Sequence, residues 1–359
     1  KNLLNKCIQE NRLQAFYPPN SPQLDQIANK AVQSIPQLAQ RWRIPMEVAN
    51  ELVQLGLYDI VIFIDDSGSM AFEEGGERIK DLRLILDRVA STATNFDEDG
   101  ISIRFMNANY PQNVLENIRS EQQIGQLMET VQYKGLTPMG TELRKKVVDG
   151  IILSKVRDRR YTKPHLVICI TDGQPAGEAQ NTVTDTIKYA VNEVGRQFGG
   201  GGVAFQFAQV GNDQKAREFL AKLDEDPVVG NMIDCTSNYE NESEELRQRG
   251  VDLTPDLWLI KLMLGAIDRS YDSKDESGAN APPAHAPQGQ YGAPPGQQQY
   301  GAPPQQGYGG PPPQGQQYPG QGPPPGQYGG QPQQGYGRGG GPPGGPGGYP
   351  QQGGGNVRY

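Results

Sequence analysis

Three short stretches of this sequence set small oxygen-bearing side chains at the ends of apolar runs. Asp65-Asp66-Ser67-Gly68-Ser69-Met70 follows Tyr58-Asp59-Ile60-Val61-Ile62-Phe63-Ile64, and Thr171-Asp172-Gly173 follows His165-Leu166-Val167-Ile168-Cys169-Ile170. Gly135-Leu136-Thr137-Pro138-Met139-Gly140-Thr141 leads into a helical pattern. Carboxylates with hydroxyls make an all-oxygen donor set, which suits Mg²⁺, Mn²⁺ or Ca²⁺ and disfavours zinc or copper. Side chains alternate along extended backbone, so an extended Asp65-x-Ser67-x-Ser69 loop sends all three to one side. Each stretch alone also reads as turn chemistry. Together, each at an element end, they point to a cation site with Asp65, Ser67, Ser69, Thr137 and Asp172 as candidate ligands.

Loops far apart in sequence converge only if the elements beneath them place them together. Outside the carboxyl ends of strands in an open α/β sheet, neighbouring connections diverge and ligands gather. The pattern here alternates strand and helix, as a doubly wound, mostly parallel open sheet flanked by helices requires. Ile79, Leu82, Leu86, Val89, Ala93 and Phe96 recur at three and four and predict a helix after the Asp-Ser loop. Strands are expected over 101–106, 203–210 and 232–235, with an antiparallel edge strand near Val114 and Leu115. Helices are expected over 124–131, 141–156, 184–198 and 214–223, the third stopped by the glycines at 199–202. Thr254-Pro255 opens a final helix by N-cap and first-turn proline, with Trp258 and Met263 as core residues.

The ordered set Asp65-x-Ser67-x-Ser69, Thr137 and Asp172 resembles the metal-ion-dependent adhesion site of the von Willebrand factor type A family. The resemblance spans residues 57–271. It implies that Ser67, Ser69 and Thr137 touch the metal directly or nearly so, and that Asp65 and Asp172 act partly through waters. It also implies an open coordination place for an Asp or Glu of a protein partner. Asp66 departs from the family's pattern, which has an apolar or small residue there. Its carboxylate is expected to point to solvent.

Composition divides the chain further. Residues 1–56 read as helical, broken at Tyr17-Pro18-Pro19-Asn20-Ser21-Pro22, and continue almost without linker into the first strand. They are expected to be a packing extension of the 57–271 domain rather than a separate partner module. Residues 272–359 form a Gly/Pro/Gln/Tyr-rich low-complexity tail. From Ala281 onward it has no Leu, Ile, Met, Phe or Trp, too little apolar surface to offset the entropy of ordering. Tyr-Gly-Ala-Pro-Pro occurs at Tyr291 and Tyr300. The tail reads as a disordered tether, or as a multivalent sticker through which copies self-associate.

All 41 acidic residues lie at or before Glu276, against 31 basic ones when Arg338 and Arg358 are taken from the total of 33; the difference, 31 minus 41, is −10. That balance argues against a nucleic-acid binder and against charge-driven lipid docking. No apolar stretch reaches membrane-spanning length and no signal-peptide pattern is visible. Three cysteines, one inside a core strand pattern, argue against a disulfide framework. An intracellular site, cytoplasmic or nuclear, is the expectation.

Catalytic equipment is thin. His165 precedes a core strand and reads as a structural edge residue, His285 lies in the tail, and neither pairs with a nucleophile. The sequence therefore points to a non-catalytic, cation-dependent protein-binding module or scaffold. The alternative is a metal-dependent phosphoryl-transfer or hydrolase enzyme using Asp65 and Asp66. It lacks the usual Asp-x-Asp spacing.

Overall fold

The computed structural model describes residues 1–271 apart from residues 97, 98, 249 and 251. Strands form where β-branched and aromatic residues run together. Strands β1 (Asp59–Ile64), β2 (Ser102–Phe105), β3 (His165–Thr171), β4 (Val203–Gln209) and β5 (Ile233–Thr236) build one sheet in the order β2-β1-β3-β4-β5. All four pairings are parallel. β1 and β3 lie side by side at the centre, with Ile64 in register with both Phe105 and Ile170. Every residue of β3 is buried, which is why its sequence is a near-continuous apolar run.

Helices cover the sheet. Helix α1 (Asn2–Glu10), α2 (Pro22–Trp42) and α3 (Met46–Glu51) precede β1, with a tight turn at Leu52–Leu57. The Asp-Ser loop runs into a short α4 (Ser69–Phe72) and then α5 (Glu77–Phe96). Beyond β2 come α6 (Gln112–Leu115) and α7 (Glu121–Thr130). After the Thr137 loop, α8 (Met139–Glu142) passes through a wide π-helical stretch (Leu143–Ile152) into α9 (Leu153–Arg157). The remaining helices are α10 (Thr182–Phe198), α11 (Gln214–Asp224), α12 (Tyr239–Gln248) and α13 (Pro255–Leu264). Thr254 caps α13 by accepting from Leu257 N, and Trp258 and Met263 are buried. This is an open, doubly wound α/β fold.

Two expectations are corrected here. Val114 and Leu115 lie in a helical turn, α6, not in an edge strand. Pro111, which brings no N–H to a ladder, opens that turn and accepts from Val114 N at 3.1 Å. The antiparallel pairing nearby is an isolated bridge between Ile101 and Ile118. His165 is no edge residue: it opens the central strand β3 and is fully buried, stacked on Tyr161 with ring centroids 4.7 Å apart. The tail readings lie outside the described residues.

The N-terminal helices share the sheet's core. Leu4, Cys7, Leu13, Ile35 and Trp42 belong to the same buried cluster as the strands, and Tyr17 Oη donates to Leu57 O at 2.6 Å. Asn11 Nδ2 reaches Ile267 O at 2.7 Å, and Gln54 Nε2 reaches Asp268 Oδ2 at 2.7 Å. Among the described residues no helix is long and apolar enough to cross a membrane.

Candidate metal centre

The pairing of β1 with β3 runs one residue past the strand, Asp65 N donating to Ile170 O at 2.9 Å. That bond puts Asp65 beside Thr171 and Asp172. Asp65 is fully buried. Its Oδ1 accepts from Ser67 N at 2.9 Å, and its Oδ2 accepts from Thr171 Oγ1 at 2.7 Å. The first of these bonds is an Asx turn, a local alternative to strand geometry that Asp favours. It folds the loop at once, and Gly68 is already helical at φ −62°, ψ −34° before α4 begins at Ser69. Ser67 and Ser69 therefore converge through a turn, not through the extended alternation that their spacing suggests. Their hydroxyl oxygens are 3.1 Å apart.

Ser69 Oγ donates to Asp172 Oδ1 at 3.0 Å. Asp65, Ser67, Ser69 and Asp172 thus form one run of hydrogen bonds across adjoining strand ends. The loop that carries Thr137 is tied to the Asp-Ser loop by backbone bonds, without a hydrogen bond from Thr137 itself to those four residues. Gly68 N donates to Gly135 O at 3.4 Å and Lys134 N to Asp66 O at 2.8 Å, while Ala176 N donates to Thr137 O at 2.9 Å. Thr137 is buried in that position.

Burial raises the Asp65 carboxyl to about 6, and the neighbouring charge of Asp172 pushes the same way. Burial also raises Asp172, with the Arg78 guanidinium and the Ser69 hydroxyl offsetting part of it. Two buried carboxylates this close oppose each other's ionisation, and a cation beside them removes that opposition. Among the described residues no three His, Cys, Asp or Glu side chains converge as a metal cluster. Any ion held here therefore relies on hydroxyls as well as the two carboxylates. That donor chemistry fits a hard divalent cation and not a soft one.

Asp66 does not point to solvent. It is 0% exposed, its Oδ1 accepting from Asn107 N at 2.7 Å and Asn107 Nδ2 at 3.1 Å, its Oδ2 from Ala108 N at 2.8 Å. The residue is a clamp between the ends of β1 and β2. Backbone N–H groups past β2 need acceptors once the ladder ends, and Asp66 supplies them.

Two further residues shape the site. Arg78, in the first turn of α5, donates from Nη1 to Asp172 Oδ2 at 2.7 Å. It stands four residues before Leu82 on the helix's buried stripe, a charged residue where an apolar one belongs, and that was its signal in the sequence. Glu178 accepts from Gly140 N at 2.8 Å and from Thr141 N and Oγ1, each at 2.7 Å. Pro138 occupies the N-cap of α8 and offers no side-chain acceptor, so the orphan N–H groups take one from another loop. Lys146 is committed elsewhere, to Phe105 O, Met106 O and Ala108 O at 2.7, 2.9 and 3.2 Å.

No family model and no curated protein matches the chain. Among solved structures, three of proximal thread matrix protein 1 from the mussel byssus align with it at TM-scores of 0.34, 0.36 and 0.34 and identities of 17, 16 and 17%. They cover 53, 58 and 53% of this chain, which spans about half of their own length, 46, 47 and 46%. One is described as having a zinc-occupied metal-ion-dependent adhesion motif. Likeness at this level carries no function across.

Proposed function

We propose that residues 57–271 are a von Willebrand factor type A-like module that captures a protein partner through a divalent cation and catalyses no reaction. The hydrogen-bonded run from Asp65 through Ser67 and Ser69 to Asp172 carries this reading. A bound Mg²⁺, Mn²⁺ or Ca²⁺ would supply a Lewis-acidic point that accepts an Asp or Glu carboxylate of the partner. The chain's residues hold that point: Asp65 and Asp172 bring negative charge, and Ser67, Ser69 and Thr137 bring neutral oxygens. A donor set with so few charges leaves room for one more carboxylate.

The rim suits a protein surface. Phe72 is 84% exposed and Leu136 60% exposed, large apolar side chains on the helix α4 that begins at Ser69 and on the loop that carries Thr137. The phosphoryl-transfer alternative is the less favoured reading: Asp66 spends both oxygens on Asn107 and Ala108, and the Asp-x-Asp spacing is missing. We place the protein in a reducing, intracellular compartment on its few cysteines, odd in number, with Cys169 inside the central strand. Residues 1–56 serve as the helical extension. From composition alone, residues 272–359 act as a tether or a sticker.

The test is an affinity pull-down with and without chelator, comparing the native chain with a Ser67→Ala/Ser69→Ala double variant. Capture lost in both arms supports the module; capture that survives chelator unchanged ends it. Removing residues 276–359 should leave affinity intact and abolish clustering if the tail is a sticker.

A further inference from the structure

We infer that Arg78 is a built-in counter-charge that sets how tightly the Asp65–Asp172 pocket holds its cation. The inference rests on the reading of that pocket as a cation site. The guanidinium is fixed from several directions, its side chain 2% exposed. Nη1 holds Asp172 Oδ2 at 2.7 Å, Nη2 faces Glu73 Oε2 and Glu74 Oε1 at 2.7 Å each, and Nε donates to Glu74 Oε1 at 2.7 Å. Glu74 is itself held by Asn212 N at 3.0 Å. Gly211 makes the space: at φ +71°, a Cβ there would lie 2.4 Å from Arg78 Nε. Loops after β1, β3 and β4 are thereby gathered on one planar cation.

The consequence is electrostatic. One oxygen of Asp172 is committed to Arg78, and the other is shared only with the Ser69 hydroxyl. An incoming divalent ion meets a half-neutralised carboxylate with a fixed positive charge behind it. At an effective dielectric near 20, a lone unit charge about one carboxylate away would weaken a divalent ion's hold by roughly a thousandfold; Glu73 and Glu74 on the same guanidinium offset most of that, leaving about tenfold or more. A partner's carboxylate restores the missing negative charge, so cation and partner bind better together than apart, and by linkage each tightens the other equally. Arg78 is a positioning and charge-setting residue that touches neither partner nor solvent.

The experiment is titration of Mn²⁺ alone into the full chain, read as loss of the free-ion paramagnetic resonance signal, with far-UV circular dichroism as a fold control. Arg78→Gln should bind Mn²⁺ about tenfold or more tighter than the native chain. Arg78→Lys, which keeps the charge, should stay within about threefold. Glu73, 54% exposed and paired with Arg78, gives a variant that does not threaten the core. Glu73→Gln leaves more of the guanidinium charge to Asp172 and should weaken Mn²⁺ binding about threefold. A folded Arg78→Gln chain that binds no tighter overturns the inference. If that chain does not fold, an unchanged affinity in Glu73→Gln overturns it instead. A native chain that takes up no Mn²⁺ brings down the cation site and this inference together. Native uptake lost in Ser67→Ala/Ser69→Ala, without tightening in Arg78→Gln, brings down only the inference.

Discussion

Replacing Asp66 by Asn separates a clamp from a ligand. The carboxylate takes three N–H donors, from Asn107 N, Asn107 Nδ2 and Ala108 N, at 2.7–3.1 Å, and is shut away from water. An amide of the same shape keeps one acceptor oxygen, for Asn107. Its NH₂ then meets Ala108 N–H, donor against donor, leaving a buried backbone N–H without an acceptor. A lost hydrogen bond to a charged acceptor with an orphaned partner costs about 2–3 kcal/mol. That is a large part of the roughly 5–15 kcal/mol by which a domain is stable, and at this chain length it lowers the midpoint by about 5–10 °C. Thermal and urea unfolding of the native and Asp66→Asn chains measures it. Neither Asp66 oxygen touches Asp65, Ser67, Ser69 or Asp172, so Mn²⁺ affinity should change by less than about threefold after allowance for charge. A variant as stable as the native chain that binds no cation would refute the clamp and make Asp66 a ligand.

Other outcomes follow from the same geometry. Glu178→Gln weakens the cap on Gly140 and Thr141; it should cost about 1 kcal/mol in urea unfolding and loosen cation uptake through the Thr137 loop. Phe72→Ala with Leu136→Ala should cut partner capture about tenfold while Mn²⁺ titration stays unchanged, the two side chains being exposed rim and not ligand. Burial pushes the His165 imidazole down to about 3 against an ordinary value of about 6.5, so below about pH 6.5 the unfolded chain binds a proton that the folded one refuses, and this residue alone removes about 1.4 kcal/mol of stability per pH unit in that window. Asp65, raised to about 6, contributes with the opposite sign below about pH 6, so the His165 share is read as the difference between the urea-derived slopes of the native and His165→Gln chains. Equal slopes in the two chains would show that the imidazole protonates in place.

Much of the sheet was legible because it obeys one rule. A strand buried on both faces is apolar nearly throughout: 60–64 and 166–170 are wholly so, and 203–208 is broken only by Gln206, whose amide donates to Asp234 and Thr236. The candidate site stood out for a related reason: each stretch alone is ordinary turn chemistry, but Asp65, Ser67, Ser69 and Asp172 fall at the ends of adjoining strands, where they meet. What escaped was settled by partners distant in sequence. Nothing local tells an exposed Asp66 from one that meets Asn107 and Ala108, 41 and 42 residues on. Val114-Leu115 carries strand-forming residues, yet Pro111 starts a helical turn there. Helix α12 went unseen because its ten residues are mostly charged and polar, and apolar periodicity is blind to such a helix. The π-helical stretch at Leu143–Ile152 keeps the apolar spacing of an ordinary helix within the tolerance of a sequence pattern.

The bonds from Asn11 to Ile267, Gln54 to Asp268 and Tyr271 to Glu51 join residues 256, 214 and 220 positions apart. On a ribosome, the helices before β1 are therefore secured only after residues 267–271 have been made. At roughly 5–20 residues per second the N-terminal helices wait on the order of 10–50 s for their partners to emerge. During that wait Leu4, Leu13 and Trp42, buried in the finished fold, have no sheet to cover them. This is the interval in which a nascent-chain chaperone has most to do, and in which a stalled or truncated chain would be most prone to aggregate.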